Sequence, residues 1–129
     1  MKAPSFFIRP LQILALMIIM ASVIGCNKNA GGITLGVDIP ANAEVIELAS
    51  IVENPSSYNG KNVVMKGIIS GQCPSLCEFF FRDGTHKATI FPQGYKFPKL
   101  ATGKPVTVYA QVTSSEENVV FSALGVHVE

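Results

Sequence analysis

Two cysteines with three residues between them, Cys73-Pro74-Ser75-Leu76-Cys77, are the residues best equipped for chemistry in this chain. Thiols at that spacing support three chemistries. A disulfide between them closes a loop of about five residues, worth about 2 kcal/mol in the chain-entropy model. As thiolates they are ligands for a soft or borderline ion, Cu(I) or Zn(II). As a redox pair they would exchange disulfides. That chemistry is usually built on two intervening residues ahead of a helix, whose dipole lowers the thiol pKa, and neither condition is met here. His86 and His127 are the only histidines. Both fall in predicted strands, and neither stands at ligand spacing to the cysteines. His86 is the candidate third ligand.

Phe79, Phe80 and Phe81 follow closely. Successive side chains of a strand face opposite ways. The core therefore takes either Phe80 or the pair Phe79 and Phe81, and at least one ring faces outward. Phe79 and Phe81, with Arg82, Lys66 and Lys87, make a candidate binding face of aromatic rings beside cations. The competing role for these rings is packing against the N-terminal segment. Catalysis finds no foothold. There is no Ser-His-Asp order, no paired carboxylates and no glycine-rich phosphate loop, and the acidic residues sit mostly at turns and strand ends. The expectation is a protein that is not an enzyme.

The elements that position these residues are mostly strands. Residues 44–58 carry the one helical pattern, with Leu48, Ile51 and Val52 on one face. Asn54-Pro55 ends it, because proline disfavours helix in the residue before it. Five strands are predicted after that: residues 62–70, 77–82, 86–91, 105–113 and 118–128. Gly67 and Gly125 suggest bulges or bends, and Asp83-Gly84 reads as a tight hairpin turn. In the fourth strand Val106, Val108, Ala110 and Val112 alternate with Thr107, Tyr109, Gln111 and Thr113. Five short strands within about 70 residues predict a small five-stranded OB-like barrel, preceded by one short helix. Pro92 and Pro98 argue against a helix in the long connection after strand three. Ahead of the helix, Ile33, Leu35, Val37 and Ile39 alternate with period two. Two glycines and Pro40 favour a partly ordered linker there over a strand.

The N-terminus reads as an address. Lys2 and Arg9 precede an apolar run from Leu11 to Ile24. Fourteen helical residues span roughly 21 Å, against about 30 Å for a bilayer core. The run fits a secretory signal better than a membrane span. Val23-Ile24-Gly25-Cys26 resembles the bacterial lipobox, with Ile24 bulkier than the usual residue at its place. The resemblance implies cleavage before Cys26, whose thiol carries lipid and anchors the chain to a membrane. Asn27, in place of a retention aspartate, favours the outer membrane where the host has one. The expected organisation is a lipoprotein signal peptide at 1–25, a lipidated tether at 26–43 and an OB-like β-barrel domain at 44–129. Export also places Cys73 and Cys77 in an oxidising compartment, where a cysteine pair defaults to a bridge.

The barrel segment is similar to a group of small exported bacterial OB-fold domains, many of them lipoproteins. The likeness rests on Asn54-Pro55-Ser56-Ser57-Tyr58-Asn59-Gly60-Lys61, on Val64, Lys66 and Gly67, and on the Cys73/Cys77 pair at the first hairpin. It continues through Asp83-Gly84-Thr85, Tyr95-Lys96-Phe97-Pro98 and Gly103-Lys104. Leu76 and Glu78 stand where members often carry glycine and tryptophan. The likeness covers roughly residues 44–128. It implies the barrel and names no ligand.

Composition narrows the remaining classes. With 129 residues, 48% hydrophobic and 15% charged, the chain is neither disordered nor a multidomain enzyme. Lys2 and Arg9 would leave with the signal, so eight basic residues face nine acidic ones and the charge turns from +1 to −1. That balance and the export signal disfavour nucleic acid. The expected function is a membrane-anchored OB-fold binding or accessory module for a protein or small ligand, on the periplasmic or extracellular face. The alternatives are a periplasmic Cu/Zn or thiol-redox accessory protein acting through Cys73 and Cys77, and oligonucleotide binding by fold analogy. No cofactor is expected beyond such an ion.

Overall fold

A computed structural model describes residues 32–129. The expected signal peptide at 1–25 and the expected lipidation site Cys26 lie outside the described residues. The elements are β1 (Ile33–Gly36), α1 (Leu48–Glu53), α2 (Pro55–Tyr58), β2 (Asn62–Gln72), β3 (Phe79–Asp83), β4 (His86–Pro92), β5 (Pro105–Ser114) and β6 (Val119–Val128). Strands β2, β3, β4, β6 and β5 pair in that cyclic order and close on β2. The fold is therefore a small five-stranded OB-like barrel. All pairings in the ring are antiparallel except β4 with β6, where Ile90, Phe91 and Pro92 face Phe121, Ser122 and Ala123 in parallel.

The strand alternation explains what the barrel encloses. Val106, Val108, Ala110 and Val112 are all buried, as the β5 pattern predicts. Phe79 and Phe81 are fully buried and Phe80 is 38% exposed. Each fully buried apolar side chain contributes about 1.5–3 kcal/mol relative to an exposed one. The predicted single helix is two short ones. Asn54, at φ −134° and ψ 63°, breaks the first, and Pro55 opens the second, where its missing N–H costs nothing. Leu48 and Ile51 enter the core, but Val52 is exposed rather than sharing their buried face. The first backbone N–H of α1, on Leu48, donates to the Asp83 carboxylate at 3.1 Å.

Residues 93–104 form no helix. Phe97 and Leu100 enter the core from this connection instead. Phe97 packs edge-on against Phe79 at 5.1 Å and against Tyr95 at 5.6 Å. The Tyr95 hydroxyl is buried and has no hydrogen-bond partner among the described residues. Burial pushes its pKa up to about 12.

The stretch expected as a linker contains a strand. Ile33–Gly36 pairs antiparallel with residues 125–128 of β6. β4 covers only the first half of that edge of β6, ending opposite Ala123, and β1 takes the second half. The changeover falls at Leu124, the extra residue where Tyr109 and Ala110 face Gly125 and Ala123. This is the bulge that Gly125 signals. The Val37 N–H donates to the Leu124 carbonyl at 2.9 Å. The Val37 carbonyl lies where a side chain on Gly125 would go.

Gly67 has a different role from the predicted bulge. It pairs in register with Val106. The irregularity in β2 is at Ser70, between Ile69 opposite Phe81 and Gly71 opposite Phe80. Gly67 is needed for close approach, since a Cβ there would meet the Arg82 carbonyl oxygen and come within 2.6 Å of the Phe81 ring. Gly67→Ala should cost about 2–3 kcal/mol by overpacking. Gly60→Ala has open space but a φ of +78°, and should cost about 1–2 kcal/mol. Urea unfolding midpoints of the two variants check the ranking.

Candidate functional site

Two surfaces bring the chemistry-bearing residues together. The first is the β2–β3 loop, residues 73–78. The hairpin continues into it, with Cys73 N–H donating to the Glu78 carbonyl at 3.2 Å and Leu76 N–H donating to the Cys73 carbonyl at 2.9 Å. Leu76 takes a left-handed φ of 60°, which closes the turn. Behind the loop, Gln72 acts as a clamp on the long 93–104 connection. Its Nε2 donates to the Pro98 carbonyl at 2.8 Å, and its Oε1 accepts from the Leu100 N–H at 2.8 Å. Both amide groups of one side chain thus hold that connection beside Cys73.

Cys73 and Cys77 are free cysteines here, not at disulfide distance, and the expected bridge is not formed in this structure. Ser75 stands between them. Its hydroxyl is 3.1 Å from Cys73 Sγ and donates to Cys77 Sγ at 3.2 Å. The loop curls around that hydroxyl, so Ser75 bridges the two sulfurs. The Ser75 hydroxyl, then the Ser75 backbone and Cys77, hold the Cys73 thiol below its ordinary range, against the opposing charge of Glu78. No helix follows the pair; β3 does. The helix dipole that activates a redox cysteine is therefore missing at this pair.

The third residue with a ligand atom at this loop is Glu78. One donor atom from each of Cys73, Cys77 and Glu78 lies within 4.8 Å of the others. His86, the predicted third ligand, pairs with Asp83 at the opposite end of β3 from the loop. His127 is also elsewhere, with its Nδ1 3.0 Å from the Thr34 hydroxyl of β1. Glu78 carried no motif signal. Its adjacency to Cys77 was the one clue, and only the turn shows that it reaches the same point.

The second surface is the outward face of β3 and β4. The predicted face changes membership here. Phe79 and Phe81 point into the barrel, because strand parity buries residues 79 and 81 together and turns Phe80 out. Phe91 of β4 is also 38% exposed. With Lys87, Val52, Glu116 and Glu117 they line an open groove of about 670 Å³. That volume lies within the range of small-ligand sites. Lys66 and Arg82 line a separate shallow depression at the Asp83-Gly84 turn. The groove is bounded by the β5–β6 turn, where Ser115 and Asn118 bond to each other through backbone and hydroxyl.

No family model matches the sequence, and no curated protein matches it. Among solved structures the chain is similar to a protein described as an aspartyl-tRNA synthetase from Leishmania major Friedlin, with a TM-score of 0.56 and 16% identity. The match covers 73% of this chain and 22% of that one, so this chain spans under a quarter of that protein's length. The likeness is one of fold.

The Gln72 clamp has a measurable consequence. Gln72→Ala should release the Leu100 amide and speed its hydrogen exchange by about tenfold or more, for loss of roughly 1–2 kcal/mol of bonding. Amides of β5, such as that of Val108, should keep their protection. Residue-resolved exchange by NMR reads both.

Proposed function

We propose that this chain is an exported, lipid-anchored binding module of the bacterial envelope that holds its ligand in the groove over β3 and β4. The observation that carries the reading is the groove itself, with the rings of Phe80 and Phe91 turned outward along it. OB-type barrels bind across this face and its bordering loops. Two outward rings and Val52 offer apolar contact to a flat or aliphatic group. One lysine against two glutamates leaves the groove with an excess of negative charge. The charge favours a neutral or cationic ligand and works against a phosphate backbone. An apolar or aromatic group, from a small molecule or an exposed protein segment, is the ligand chemistry that fits. The reading is of a binding role and not of an enzyme.

Anchoring rests on the sequence: Lys2 and Arg9, the short apolar run, and Gly25-Cys26. One acyl chain holds a protein weakly to a bilayer, and two or three hold it firmly. The module would then work on the periplasmic or outer face of the cell membrane or outer membrane.

Two measurements test these parts separately. In an NMR titration, indole and a short Trp/Lys peptide should shift the Phe80, Lys87 and Phe91 amides. The Phe80→Ala/Phe91→Ala variant should lose those shifts while staying folded. Shifts confined to another face, or tighter salt-sensitive binding of oligothymidylate, would refute the groove reading. For the anchor, Cys26→Ser expressed in a bacterial host should keep its leader by intact mass and lose its acyl groups. Unchanged mass processing in that variant would remove the lipoprotein assignment.

A further inference from the structure

We propose that the β2–β3 loop is a Zn(II) site, formed by Cys73 Sγ, Cys77 Sγ and the Glu78 carboxylate, with a fourth position open to solvent. The three donor atoms already lie within 4.8 Å of one another. Tetrahedral zinc with bonds of about 2.3 Å to sulfur and about 2.0 Å to oxygen needs its donors about 3.5–3.8 Å apart. Closing that difference takes at most about 1 Å of movement of the donor atoms. The backbone is fixed by the Cys73–Glu78 and Cys73–Leu76 hydrogen bonds, and the Gln72 clamp steadies the residue just before it. Three residues between the cysteines fall within the two to four common at zinc sites.

The space between the sulfurs is filled by the Ser75 hydroxyl, at 3.1 and 3.2 Å. Zinc would take that central place and turn Ser75 outward. Binding releases the two thiol protons to solvent, and no atom changes oxidation state. Two thiolates and a carboxylate carry three negative charges, so the bound site keeps one. Lys99 lines the same pocket as Cys73.

Glu78 selects the metal. Cu(I) is satisfied by thiolates alone and gains little from a hard oxygen donor. A carboxylate beside two thiolates suits zinc, which accepts sulfur and oxygen together. Cys77 is exposed and Cys73 is partly exposed, so the fourth position faces water and is open to a donor from another molecule. This inference stands apart from the groove, which lies over β3 and β4 and shares no residue with this loop.

The test uses the full chain in mild detergent with a non-thiol reductant. Zn(II) titration against a chromophoric chelator should give one ion per chain. Co(II) in its place should show thiolate charge-transfer absorption and tetrahedral d–d bands. Cys73→Ser and Cys77→Ser should each abolish one-to-one binding, and Glu78→Gln should weaken it by about tenfold or more. Circular dichroism and urea midpoints should stay near those of the parent, since all three residues lie on a surface loop. The proposal is overturned if the reduced protein takes up no stoichiometric zinc, or if uptake survives both serine variants. It is equally overturned if Glu78→Gln binds as tightly as the parent, or if His86→Ala abolishes binding.

Discussion

The barrel depends on how β6 shares its two edges. One edge carries β5 along nearly the whole strand. The other is divided, with β4 in parallel over three residues and β1 antiparallel over four. A parallel contact of three residues is a weak closure by itself, since parallel ladders are slightly less stable per residue. Pro92 then ends β4 on that edge. Without β1, the second half of the edge would present unpaired N–H and C=O groups beside the closure. The bulge at Leu124 is the joint between the two partners. It turns the strand so that each half meets a different neighbour, and Gly125 lets the Val37 backbone come close enough to finish the pairing.

Closure of the ring also sets where the candidate sites lie. β2 leaves β5 at Ile68 and passes to β3, with the Ser70 bulge inside the second pairing. Gln72 emerges at its end aimed at the long connection, and the cysteine loop follows at once. On the adjoining strands the same register sends Phe79 and Phe81 into the core and leaves Phe80 beside Thr89 on the outside. The ring therefore fixes which phenylalanine is available to a ligand and which ones are structural.

Much of this was legible locally. The β5 alternation and the barrel itself follow from period-two patterning and turn chemistry, which act over a few residues; the tight turn was legible too, although it falls at Gly84-Thr85, with Asp83 closing β3 opposite His86. The parity of Phe79, Phe80 and Phe81 was legible as a choice of two, and the core settled it. What stayed hidden depends on partners far along the chain. The β1 pattern carries glycines and a nearby proline, and its partner lies about 90 residues away. Gln72 and Asp83 look like ordinary polar residues until their hydrogen bonds to Pro98, Leu100 and Leu48 are seen. Glu78 reaches the thiols only because the Leu76 turn bends the loop back. Gly67 signalled something unusual, but the sequence could not say whether that was a bulge or a close contact.

The placement of β1 also bears on force. With Cys26 lipidated as proposed, six residues separate the anchor from Ile33, a reach of at most about 25 Å. The barrel would be held close to the bilayer, and its attachment would be a strand rather than a loose leader. Any pull from the membrane would arrive first at the hydrogen bonds between β1 and β6, beside the barrel's parallel closure. Detaching β1 would lengthen the tether and bare the edge of β6 in the same event, so reach from the membrane and integrity of the barrel seam would be mechanically linked.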